Sequence, residues 1–79
     1  MRHARHDYNR IQDPYNLIAK DEPVFLLRAQ DKAAPATVRA WAELHTLGGG
    51  DPMLAQMACD HADEMEDWQA RNLKKSADL

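Results

Sequence analysis

The sequence predicts a small, mainly α-helical domain built on an αα-hairpin. Its helices span about 35–47 and 52–71, and a short apolar segment, 23–29, packs on them. Three observations predict this. Apolar residues recur at steps of three and four in two stretches. Three consecutive glycines, Gly48 to Gly50, separate those stretches, and Asp51-Pro52 follows them as a restart signal.

The elements follow in chain order. Residues 1–13 are polar and without periodicity, which predicts a loosely ordered basic arm. "DPYNL" reads as a turn with Pro14 at its second position, after which Tyr15, Leu17 and Ile18 tack the arm onto the body. Asp21 and Glu22 before Pro23 fit a helix start, whereas Val24 and Phe25 fit a strand equally well. A lone strand would leave its backbone groups unpaired, so a short helix is the expectation and a strand the alternative.

"APATVRAWAELHTL" is the first hairpin helix, with Pro35 near its start and a stripe of Val38, Trp41, Leu44 and His45. The second helix takes Asp51 as N-cap and Pro52 as its first residue. Leu54, Met57, Ala58, His61, Met65 and Trp68 form its seam. Trp41, Leu44, Leu54, Met57, Met65 and Trp68 are therefore expected mostly buried, between the helices or under 24–27. Arg71, Lys74 and Lys75 suit the negative end of the helix dipole. The single domain spans 14–72, and 73–79 is a basic tail.

Composition limits the function. A chain of 79 residues is one domain at most and buries a modest core, which disfavours a large cofactor cleft. No apolar run approaches the roughly 18 residues of a membrane span. The basic first residues lack an apolar stretch behind them, so no secretory signal is expected. The lone Cys59 cannot form an intrachain disulfide, which points to a reducing cytoplasm. Net charge is −3, but unevenly spread. From Ala40 to Ala70 there is no lysine or arginine, against seven acids.

Five of those acids fall within "DHADEMEDW". Asp60, Asp63, Glu64 and Asp67 share one helix face, with Glu66 beside Asp63. Like charges three and four apart repel, and the five such pairs cost roughly 1–2 kcal/mol together. A helix carrying that cost in one place, while obeying local rules elsewhere, marks the face as a candidate binding surface. Trp68 at its edge suits a partner presenting Lys or Arg. A solvated face that only keeps the chain soluble is the alternative.

Other chemistry finds little support. His3 and His6 could hold a metal, as many N-terminal arms could, but no zinc-ligand spacing appears, and no metal or cofactor is expected. Cys59 and His61 point about 200° apart on a helix. Ser76 is the sole serine, and no phosphate-cradling loop is present, so the chain is not expected to be an enzyme. Helix, glycine turn and helix is also the outline of a DNA-reading motif, but the would-be recognition helix carries five acids and no base before Arg71. Phosphate repulsion excludes groove reading.

"EPVFLLRAQD", "TVRAWAELH", "GGDP" and "ADEMEDWQ" resemble a group of short phage and prophage proteins of proteobacteria. In size and acidity the chain is also similar to small anti-CRISPR proteins. That resemblance implies an inhibitor acting as a DNA mimic, its acidic helix set against the basic nucleic-acid-binding groove of a protein complex, a Cascade-type CRISPR effector above all. It carries over no functional residues. The residues expected to bind the partner are Asp60, Asp63, Glu64, Glu66, Asp67 and Trp68, with no direct contact to nucleic acid or membrane. A monomer is favoured. The rival expectation is a homodimeric assembly module of phage origin.

Overall fold

The computed structural model describes Arg2–His3 and residues 13–72. Two antiparallel helices dominate it: α1, Ala34–Leu47, and α2, Pro52–Arg71. Two short strands, β1 (Arg2–His3) and β2 (Pro23–Val24), precede them. The predicted hairpin is present with its predicted ends.

Local chemistry explains those ends. Pro35 lies in the first turn of α1, where a missing N–H costs nothing. Its N-terminus is prepared by Asp31, which is buried. One carboxylate oxygen accepts from Ala33 N–H at 2.9 Å, and its carbonyl accepts from Ala34 N–H at 3.0 Å. At the other end Gly49 N–H donates to the Thr46 carbonyl and Gly50 N–H to the His45 carbonyl. This closure needs a left-handed residue at Gly49, whose φ is 83°. Asp51 then caps α2 as predicted, accepting from Met53 N–H at 2.9 Å.

The interior differs from the predicted one. Ala42 of α1 and Ala55 and Ala62 of α2 are buried, together with Ala34, Met65 and Gln69. Of the six large residues expected inside, only Met65 is buried; Trp41, Leu44, Leu54, Met57 and Trp68 are all exposed to a third or more. The reason is geometric. Each residue turns a helix by about 100°. The predicted stripes followed bulk and lay one residue's turn away from the true contact line, which follows alanine. Small side chains let two backbones approach closely, and the large ones are left on the flank.

The apolar segment is also corrected. β2 pairs in parallel with β1, Arg2 opposite Pro23 and His3 opposite Val24. The strand does not leave its ladder unpaired, because its partner comes from the N-terminal arm. Pro23 is tolerated as the first residue of a strand. Beyond Val24 the chain is irregular as far as residue 30, and no helix forms. Gln69 secures that stretch, its Nε2 donating to the carbonyls of Ala29 (2.9 Å) and Asp31 (2.8 Å).

The turn at Asp13 forms as predicted. Asn16 N–H donates to the Asp13 carbonyl, and the Asp13 carboxylate accepts from Leu17 and Ile18. Tyr15 and Leu17, expected to anchor the arm, are both exposed, and Ile18 alone of the three is partly covered. The loose order expected of the arm beyond His3, with His6, and the basic tail at 73–79 lie outside the described residues.

Candidate functional site

Helical period divides the hairpin into two flanks. With Ala42 on the contact line of α1, Arg39, Glu43 and Thr46 turn to one side, Trp41 and His45 to the other. On α2, with Ala55 and Ala62 on the line, Cys59, Asp63 and Glu66 turn to the Arg39 side. Leu54, Ala58, His61 and Met65 turn to the Trp41 side. Asp60, Glu64 and Asp67 point outward between the two flanks.

The charged flank is organised by Arg39. Its guanidinium donates from one nitrogen to the Asp63 carboxylate at 2.6 Å and to Glu66 at 2.5 Å. These bonds to Glu66 and then Asp63 hold the arginine's pKa well above its ordinary value, so the guanidinium stays charged at any working pH. The pair sits in water, which keeps its contribution to stability modest. Its effect is positional. It ties α1 to α2 and turns the 63/66 repulsion into a bridged pair. Arg39 is the last base before the acidic block, 24 and 27 residues before the two acids it engages, too far along the chain for local spacing to reveal the bridge.

The remaining acids face solvent. Gln56 donates to the Asp60 carboxylate at 2.9 Å, one turn back. His61 Nδ1 lies 3.4 Å from a Glu64 carboxylate oxygen, an ion pair only when the imidazole is protonated. Asp67 has no partner among the described residues. The Asp63 and Glu64 side chains are 70% and 76% exposed, so a partner could reach both.

The six expected site residues therefore divide. Asp60, Glu64 and Asp67 form an outward ridge, and Asp63 adjoins it while engaged with Arg39. Glu66 is turned inward to the same arginine. Trp68 lies across the helix, in a shallow hollow of about 270 Å³ with Leu27, Ala29, His61 and Met65, and Glu64 at its rim. The aromatic thus borders the ridge at Glu64 alone.

Between the helices on the Arg39 side runs an open groove of about 390 Å³, floored by Ala42 and Ala55 and edged by Glu43, Gln56 and Cys59. No cluster of three His, Cys, Asp or Glu fit to hold a metal occurs among the described residues. No helix among them is long and apolar enough to cross a membrane. Against known proteins, no family model matches the chain, nor does any curated protein or solved structure.

Proposed function

We propose that the protein acts by stoichiometric binding, without catalysis, and that the ridge of Asp60, Asp63, Glu64 and Asp67 meets a basic, nucleic-acid-binding surface of a protein partner. The supporting observation is charge density. Five carboxylates lie between Asp60 and Asp67. At a rise of about 1.5 Å per residue they place one negative charge per ~2 Å of helix axis. Allowing for Arg39 the spacing is about 2.6 Å. Duplex DNA carries one charge per ~1.7 Å, and one of its strands one per ~3.4 Å. A rigid helix with this spacing offers a basic groove what a phosphate backbone offers.

The phage-type resemblance narrows the partner class to a Cascade-type surveillance complex in the cytoplasm, and that step rests on the sequence alone. The geometry fixes how to test the ridge. Changing Asp60→Asn, Glu64→Gln and Asp67→Asn together removes three exposed charges and spares the Arg39 bridge. The expected result is a folded variant that no longer captures the partner which the unaltered chain retains from a host lysate. Equal capture by both would remove the proposal.

A further inference from the structure

One stripe of α2 carries both an indole and a carboxylate. His61, Glu64, Met65 and Trp68 stand at i, i+3, i+4 and i+7, which sets them side by side along the helix. Leu27 and Ala29 face them from the irregular segment, and together they line the hollow of about 270 Å³. Its floor is apolar, since Met65 is buried and Leu27 and Ala29 are partly covered. Its rim is acidic, with the Glu64 side chain 76% exposed. Trp68 is 36% exposed, so part of the indole is open to solvent. The wall opposite the helix is held in place. Gln69, next to Trp68 and itself buried, donates from Nε2 to the carbonyls of Ala29 and Asp31. The gap between that wall and α2 is set before anything enters it, which lowers the ordering cost of binding.

We propose that this hollow receives one arginine side chain of the protein partner, its guanidinium against Trp68 and its N–H groups donating to Glu64. The assignment deepens the ridge proposal and rests on it, since Glu64 belongs to both. Charge complementarity selects a cation. Of the six lining residues one is an acid and none is a lysine or arginine. Arg28, between Leu27 and Ala29 in the chain, is exposed and does not line the hollow. Asp60 and Asp67 follow on the same helix, and the row of carboxylates repels a phosphate-bearing ligand.

Shape and hydration select arginine over lysine. A guanidinium is flat, stacks on aromatic rings, forks to a carboxylate and is weakly hydrated. An ammonium is a compact, strongly hydrated point charge that gains less from an apolar floor. The hollow also supplies what the ridge lacks. A row of exposed carboxylates attracts a basic surface at many registers, whereas one seated arginine fixes a single register.

NMR titration of the isotope-labelled full chain with acetyl-arginine amide, at constant ionic strength, tests this. The Trp68 indole N–H and the backbone amides of Leu27, Ala29 and Glu64 should shift together and saturate. Half-saturation is expected at roughly 10 mM, as one cation–π contact and one charge-assisted hydrogen bond allow. Acetyl-lysine amide should bind about threefold more weakly or worse. Glu64→Gln alters an exposed side chain, so it should keep its helical circular dichroism and weaken arginine binding by roughly three- to tenfold. Glu43→Gln removes the same charge from α1, beside the groove on the other flank, and should leave arginine binding unchanged. Lysine bound as tightly as arginine, equal losses in Glu43→Gln and Glu64→Gln, or no saturable shift at Trp68 overturns the proposal. No captured partner enters this titration, so its failure leaves the ridge proposal standing, and the lysate comparison can fail while arginine still binds.

Discussion

Gly50 shows how one atom can be decisive in this turn. A Cβ there would lie 2.4 Å from the Nε2 atom of His45, a ring already held by Trp41 and buried at that nitrogen without a hydrogen-bond partner. Gly50→Ala must displace the imidazole, break the stack, or both. The expected loss is about 1–3 kcal/mol, the usual cost of overpacking, read by thermal or denaturant unfolding. Gly49→Ala meets no neighbouring atom but imposes a left-handed backbone on an L-residue, at a cost of roughly 1–2 kcal/mol. Gly48 lies at a negative φ, with its nearest neighbours at ordinary contact distance, so Gly48→Ala should change stability least of the three. The triple glycine was legible as a break. Which glycine is required, and why, depends on where the His45 ring lands, and that is not written in local sequence.

The two helices were legible from their ends, because Asp51, Pro52, Pro35 and the glycines act within a few residues of themselves. Their facing was not. Hydrophobic patterning weights bulk, and here the contact line runs through Ala42, Ala55 and Ala62 while the bulky residues lie on the flank. Spacing of seven from Ala55 to Ala62 to Gln69 was the available signal, but a glutamine at the end of an alanine line reads as a surface residue. It is buried because two carbonyls from residues 29 and 31 come to meet it, a contact across 38 to 40 residues. The β1–β2 pairing was invisible for the same reason, since its partners are 21 residues apart.

Two substitutions separate the alanine line from the predicted one. Ala62→Leu adds three heavy atoms where there is no exposure, and should destabilise by about 1–3 kcal/mol. Trp41→Ala should cost well under the 3–5 kcal/mol of a buried tryptophan. A reversed order of those two losses in chemical denaturation would restore the bulky seam. Gln69→Leu takes the side-chain donor from the Ala29 carbonyl and leaves the Asp31 carbonyl with Ala34 N–H alone, which predicts a loss of about 1–3 kcal/mol. Hydrogen exchange should then quicken at 29–34 more than within α1's second half.

At the scale of the whole molecule, charge gathers on one flank and along the outer ridge. One flank gathers Arg39, Asp63 and Glu66, the outer ridge carries Asp60, Glu64 and Asp67, and Trp41, Leu54 and Met65 lie on the other flank, with Glu64 at its edge. That the acids would share a helix face was legible from their spacing. That Arg39 would reach across and engage two of them was not, because it depends on the register of α1 against α2. The bridge also alters what neutralisation does. Removing Asp60, Glu64 and Asp67 leaves Asp63 and Glu66 on Arg39, and eliminates like-charge pairs that each cost a few tenths of a kcal/mol. The triple variant should therefore melt at or above the temperature of the unaltered chain.

If the ridge stands in for a phosphate backbone, the partner cannot hold it and DNA together. Competition on the captured partner is the most direct test. The complex, held on the immobilised chain, is challenged with increasing duplex DNA and, in parallel, with increasing salt. The predicted result is release by DNA at low salt, and a retention that falls linearly on a plot of log affinity against log salt concentration. A partner that stays bound under saturating DNA, with affinity indifferent to salt, would contradict the account.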